Sequence, residues 1–158
     1  MKPQFFTTRE ICRKLGLKER MLIHWAEKRF VRPIQDADGF PSRRLYSPRN
    51  LLEIAVIQAL WGKVSNQSIK EVLTWLKQYE NFSDLPDFFV IWGDGSTSRL
   101  SYDDLTGGPQ VGKAGLGVME RPMFLNRLYK NDTGTLLNVH KIRRKVRDLF
   151  DLPEIFAP

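Results

Sequence analysis

Seven side chains in the first third of the sequence have the chemistry to grip a polyanion. Lys18, Arg20, His24 and Trp25 fall within residues 18–28, and Arg43, Arg44 and Tyr46 follow a short distance on. Lysine and arginine make charge-assisted hydrogen bonds to phosphate oxygens, and imidazole, indole and phenol add donors that position a nucleic-acid backbone. Other chemistry is thin. Gly107 to Lys113 reads GGPQVGK, with the spacing of a phosphate-binding loop, but Ala114 stands where Ser or Thr should hold magnesium, and Pro109 removes an amide donor. Gly115 and Gly117 then oppose the helix such a loop needs, so this stretch is read as a connection. Cys12 is the only cysteine, which excludes an internal disulfide and a multi-thiolate metal site. His24 and His140 lie far apart with no second ligand at i+3 or i+4, and Asp103 and Asp104 are adjacent, so their side chains diverge on a strand. The sequence reads as a non-enzyme needing no cofactor and no metal.

The cationic set requires particular elements to hold it. Thr7 and Glu10 have capping-box spacing, and Phe6 and Ile11 can staple the same helix start. The helix runs through Ile11 and Leu15 and stops at Gly16, which tolerates the left-handed conformation. A second helix over 18–28 turns Met21, Leu22, Trp25 and Ala26 to the core and leaves Lys18, Arg20, His24 and Lys28 largely outside. Two helices joined by a short Gly-containing turn form a helix-turn-helix, whose second helix enters the major groove. Pro33, Asp36, Asp38 and Gly39 then break the chain, and residues 39–46 are predicted to form a basic wing carrying Arg43 and Arg44. His24 and Tyr46 are expected as contacts. Trp25 suits core and contact equally, since a ring can pack its body and still offer its N–H.

Charge follows the same division. Net charge is +7; residues 1–80 carry 15 Lys/Arg against 8 Asp/Glu, whereas residues 81–158 carry 10 of each. The excess therefore sits where a phosphate-facing module would need it. No apolar run approaches the roughly 18 residues of a membrane span, and nothing at the N-terminus reads as a signal peptide, so a cytoplasmic protein is expected.

Beyond the wing, Ser47 and Pro48 start a helix that continues to Gly62, and Ser65 caps another carrying Ile69, Val72, Leu73 and Leu76. Asn81 to Asp87 reads as a linker. Phe88 to Trp92, Gly93-Asp94-Gly95-Ser96 and Arg99 to Tyr102 read as a hairpin, and 8 of the 11 glycines lie between Gly93 and Gly134, a region of loop and strand. Thr135 to Leu137 is a further candidate strand. Asn138 caps a closing helix with an apolar stripe of Val139, Ile142, Val146, Leu149 and Phe150, and its other face carries Lys141, Arg143, Arg144, Lys145 and Arg147. The predicted fold class is α+β: a winged helix-turn-helix of about four helices over 1–80, then a smaller sensor or interaction module over 81–158 with a hairpin and a closing helix.

The run from Phe6 to Ser47 resembles the winged head of the MerR family of bacterial transcriptional regulators. The resemblance rests on Phe6 and Thr7, Leu15-Gly16-Leu17, His24 and Trp25, Phe30, Val31 and Pro33, and Gly39, Arg44, Tyr46 and Ser47, and it extends to about Leu76. It implies a regulator that reads duplex DNA, with RNA polymerase as a further partner and a homodimer as the working unit. Ile23 stands where the family usually has Arg, Ala26 where it often has Glu and Arg29 where it usually has Gly, and Phe40 to Arg43 lengthen the wing. The family's long dimerisation helix is missing after Tyr79, so a homodimer here forms without the usual coiled coil. Two other classes stay open. One is a protein adaptor, as in chaperone modulators that resemble this family; the other is an architectural protein binding many DNA sequences.

Overall fold

The structure is a computed structural model and describes residues 4–35, 43–101 and 134–156. Thr7 caps α1 (Thr8–Leu15), its Oγ1 accepting the Glu10 amide at 3.3 Å. Gly16, at φ +69°, ends it, and the Leu17 amide donates to the Cys12 carbonyl at 2.9 Å. That bond is the six-to-one closure of a Schellman stop. α2 (Glu19–Glu27) follows, with Lys18 at its N-cap. It stops the same way: Arg29 takes φ +60°, its amide donates to Ala26 at 3.1 Å, and the Phe30 amide donates to Trp25 at 2.9 Å. Ile11, Cys12 and Leu15 are buried from the first helix, and Leu22 and Trp25 from the second.

A feature the sequence does not announce ties this pair to the wing. β1 (Phe6–Thr7) pairs antiparallel with β2 (Leu45–Tyr46), and Gln35 bridges Leu45. The Ile34 amide donates to the Leu45 carbonyl at 2.8 Å, and the Leu45 amide to Gln35 at 3.0 Å. Strands of two residues are too short to show alternation, which is why periodicity misses them. Residues 39–42 of the expected wing lie outside the described residues.

α3 (Pro48–Leu60) begins on a reciprocal cap. The Asn50 amide donates to Ser47 Oγ at 3.2 Å while Asn50 Oδ1 accepts the Ser47 amide at 3.0 Å, the capping-box exchange with Asn in place of Glu. The helix is buried on every side from Asn50 to Ile57, and Asn50 Nδ2 donates to the buried Glu53 carboxylate at 3.3 Å. Gln58 Nε2 donates to the Leu15 carbonyl at 2.9 Å, satisfying a carbonyl left open at the end of α1.

Two compact units emerge, Met1–Gln58 together with Ile142–Pro158, and Ala59–Lys141. In the second, α4 (Asn66–Lys77) is capped by Ser65, whose Oγ accepts the Ser68 amide at 3.1 Å, and it buries Ile69, Val72, Leu73 and Leu76. A short 3-10 turn, Phe82–Asp84, occupies the stretch read as a linker. β3 (Phe88–Trp92) is flanked antiparallel by β4 (Thr97–Leu100) and β5 (Gly134–Asn138) in the order β4-β3-β5. The expected hairpin closes through Gly95 at φ +86°, with the Gly95 amide donating to Trp92 and the Trp92 amide donating to Ser96 at 2.8 Å. Trp75 Nε1 donates to Thr97 Oγ1 at 3.0 Å, and the Arg99 guanidinium lies 4.0 Å from the Trp75 ring centroid while donating to Tyr79 Oη at 2.8 Å.

Asn138 Oδ1 accepts the Lys141 amide at 2.8 Å and so starts α5 (Val139–Phe150). Within the first unit, Phe150 meets Phe6 edge to face, with centroids 5.2 Å apart at 80°, and the Lys14 ammonium lies 5.0 Å from the same ring centroid. The basic outer face expected on α5 needs a correction at Arg143. This residue is 5% exposed, and its Nε donates to the Phe156 carbonyl at 3.1 Å, so the guanidinium serves the C-terminal 3-10 turn Glu154–Phe156. Arg147 is ion-paired with Asp148 at 2.8 Å and with Glu154 at 3.2 Å. The glycine-rich stretch 107–113, Asp103 and Asp104 lie outside the described residues. Five helices and two small antiparallel sheets make the described fold α+β, and no described helix is long and apolar enough to cross a membrane.

Candidate nucleic-acid interface

The outward side of α2 is set by its inward side. Leu22 and Trp25, one turn apart, are 0% and 1% exposed, which leaves Lys18, Glu19, Arg20, Ile23, His24 and Glu27 on the open arc. Lys18, Arg20 and His24 are exposed, as expected of contacts. Arg43 is also exposed and Arg44 half-buried, both leading directly into β2.

Tyr46, expected as a contact, is buried, and so is Trp25, which suited core and contact equally. Trp25 is 1% exposed because it shares the inward face with Leu22. Tyr46 is 0% exposed because β2 turns it inward, in register with the buried Phe6. Trp25 is packed into the inward face of α2, and Tyr46 lies in β2, the strand that Arg43 and Arg44 lead into.

A cleft of about 690 Å³ opens beside the arc, lined by Thr7, Thr8, Arg9, Glu19, Ile23, Arg43 and Arg44. It gathers residues from the start of α1, the outward side of α2 and the base of the wing. Three guanidinium groups against one carboxylate give it positive potential, and Thr7 and Thr8 add hydroxyls beside the α1 N-terminus. Such a cleft suits an extended anion such as a nucleic-acid backbone.

Motif reading misses Arg9. Its signal lies in its position: a cation in the first turn of a helix opposes the helix dipole, which favours acids there. Thr8 and Glu19 carry no motif signal either. Cys12, in α1, is 4% exposed, and its thiol is pushed up to about 11, first by burial and then by the Glu19 charge, so it is chemically quiet at neutral pH. Among the described residues no group of three or more His, Cys, Asp or Glu is placed to hold a metal ion.

Comparison with known families agrees with this geometry. Residues 6–78 match the family model described as MerR HTH family regulatory protein, so the head carries the helix-turn-helix of that DNA-binding regulatory family. No curated protein matches the chain.

Proposed function

We propose that this chain, with its MerR-type helix-turn-helix head, is a DNA-binding transcriptional regulator that lays α2 in the major groove and its basic wing on the adjoining backbone. The observation that carries the reading is the cleft that Arg9, Arg43 and Arg44 line together with Glu19 and Ile23 of the outward side of α2. Lys18, Arg20 and His24 supply further contacts along the helix, and Trp25 and Tyr46 hold the surface from beneath. A neutral companion over 81–158 acts as a sensor or interaction module. The working unit is a cytoplasmic homodimer that reads a two-fold site and engages RNA polymerase. Its dimer contact forms without the usual coiled coil; the longest described helix, α3, has 13 residues.

Salt dependence tests this directly. Each phosphate that is no longer neutralised should lower the slope of log affinity against log salt by about 0.9 for duplex DNA, so Arg43→Ala with Arg44→Ala should flatten it by about two. An unchanged affinity and slope would remove the wing from the interface. The adaptor reading has one observation in its favour: Phe5, just before β1, and Ile34, hydrogen-bonded to β2, are 43% and 57% exposed. It predicts no retained duplex even at low salt.

A further inference from the structure

Among the described residues lining the cleft, Ile23 is the one wholly apolar side chain, set among Arg9, Glu19, Arg43 and Arg44. It is only partly buried, whereas Leu22 and Trp25 on the same helix are sealed at 0% and 1%. A residue serving only as core filler would be enclosed like those two. Ile23 instead stands one turn after Glu19 on the outward arc, lining the same cleft as Arg9, Arg43 and Arg44.

The neighbouring carboxylate indicates what this part of the cleft faces. Glu19 repels phosphate, so the Glu19–Ile23 stretch of α2 suits base edges, whereas the guanidinium groups of Arg9, Arg43 and Arg44 in the same cleft suit the backbone. Among base edges in the major groove, the C5-methyl of thymine is the apolar feature an aliphatic side chain can match. Isoleucine is stiff at χ1 in a helix, so its methyl groups are held in one place and not searched for on binding. Resting on the DNA-binding reading above, the geometry points to Ile23 as a specificity-determining residue that packs on the C5-methyl group of one thymine in each half-site.

The test alters the DNA before the protein. The full chain is titrated with its selected duplex and with versions in which each thymine in turn is replaced by uracil, which keeps every hydrogen-bonding group and removes only the methyl. Wild type should lose about fourfold in affinity at one position per half-site, the value of one buried carbon unit. In Ile23→Ala that same replacement should cost nothing, because the partner of the methyl is already gone. Tolerance of uracil at every position by wild type would overturn the assignment, as would an equal loss in Ile23→Ala. Failure to retain any duplex at low salt would instead overturn the DNA-binding reading itself, and this assignment with it.

Discussion

Arg29 holds φ at +60° directly after α2, where its amide and that of Phe30 close the helix end. A side chain in that conformation costs about 1–2 kcal/mol, which glycine avoids. Arg29→Gly should therefore keep or raise the melting temperature, whereas Arg29→Val, with its branched carbon, should lower stability by about 1–2 kcal/mol in denaturant titration. Cys12 gives a pH prediction of definite sign. Its thiol rises from 9.0 to about 11 in the folded protein, so the folded state favours the protonated form. That contribution is complete below pH 9.0 and is lost as pH rises through about 11. Wild type should lose more stability than Cys12→Ala between those pH values by urea unfolding; equal losses would contradict the assignment. Side-chain chemistry was legible at Lys18, Arg20, Arg43 and Arg44 because charge can be read directly. Tyr46 was not, since a two-residue strand gives no pattern to say which way its second residue points.

Caps were the most legible elements. Thr7, Ser65 and Asn138 each accept an amide three residues on, as their spacing predicts, and Ser47 exchanges bonds with Asn50. Removing one of two reciprocal bonds, Ser47→Ala should cost about 1 kcal/mol, visible as a lower denaturant midpoint. The β3–β4 hairpin was legible too, from an apolar run followed by Gly-Asp-Gly, although its second strand is Thr97–Leu100 and not the expected Arg99 to Tyr102. What the sequence conceals is the company each element keeps. The apolar stripe of α5 is plain, yet nothing in it says that Phe150 meets Phe6 beside the cap of α1, 144 positions earlier in the chain. Phe150 is 1% exposed, and Phe150→Ala should destabilise the protein by about 3–5 kcal/mol in thermal or urea unfolding. A loss under about 1 kcal/mol would mean that the edge-to-face contact does not contribute to the first unit.

At the scale of the molecule, the +7 charge belongs to the half that holds the cleft, and residues 6–78 carry the helix-turn-helix of a regulatory family. Composition and motif spacing together made the head legible. The C-terminal part is harder to read, because a three-stranded sheet whose third strand arrives after a long glycine-rich interval depends on pairings that no local pattern encodes. Ile142–Pro158 likewise belongs to one compact unit with Met1–Gln58, from which it is far removed in sequence. We propose that this chain reads duplex DNA through α2 and the arginines that share its cleft. Selection of bound fragments from a random duplex pool at physiological salt, with wild type and Arg44→Ala in parallel, tests this reading. Wild type should enrich a motif with two-fold symmetry that the variant loses or enriches far less. Equal enrichment by both proteins would contradict the role of the wing, and no enrichment by wild type, with no duplex held at low salt, would contradict DNA reading altogether.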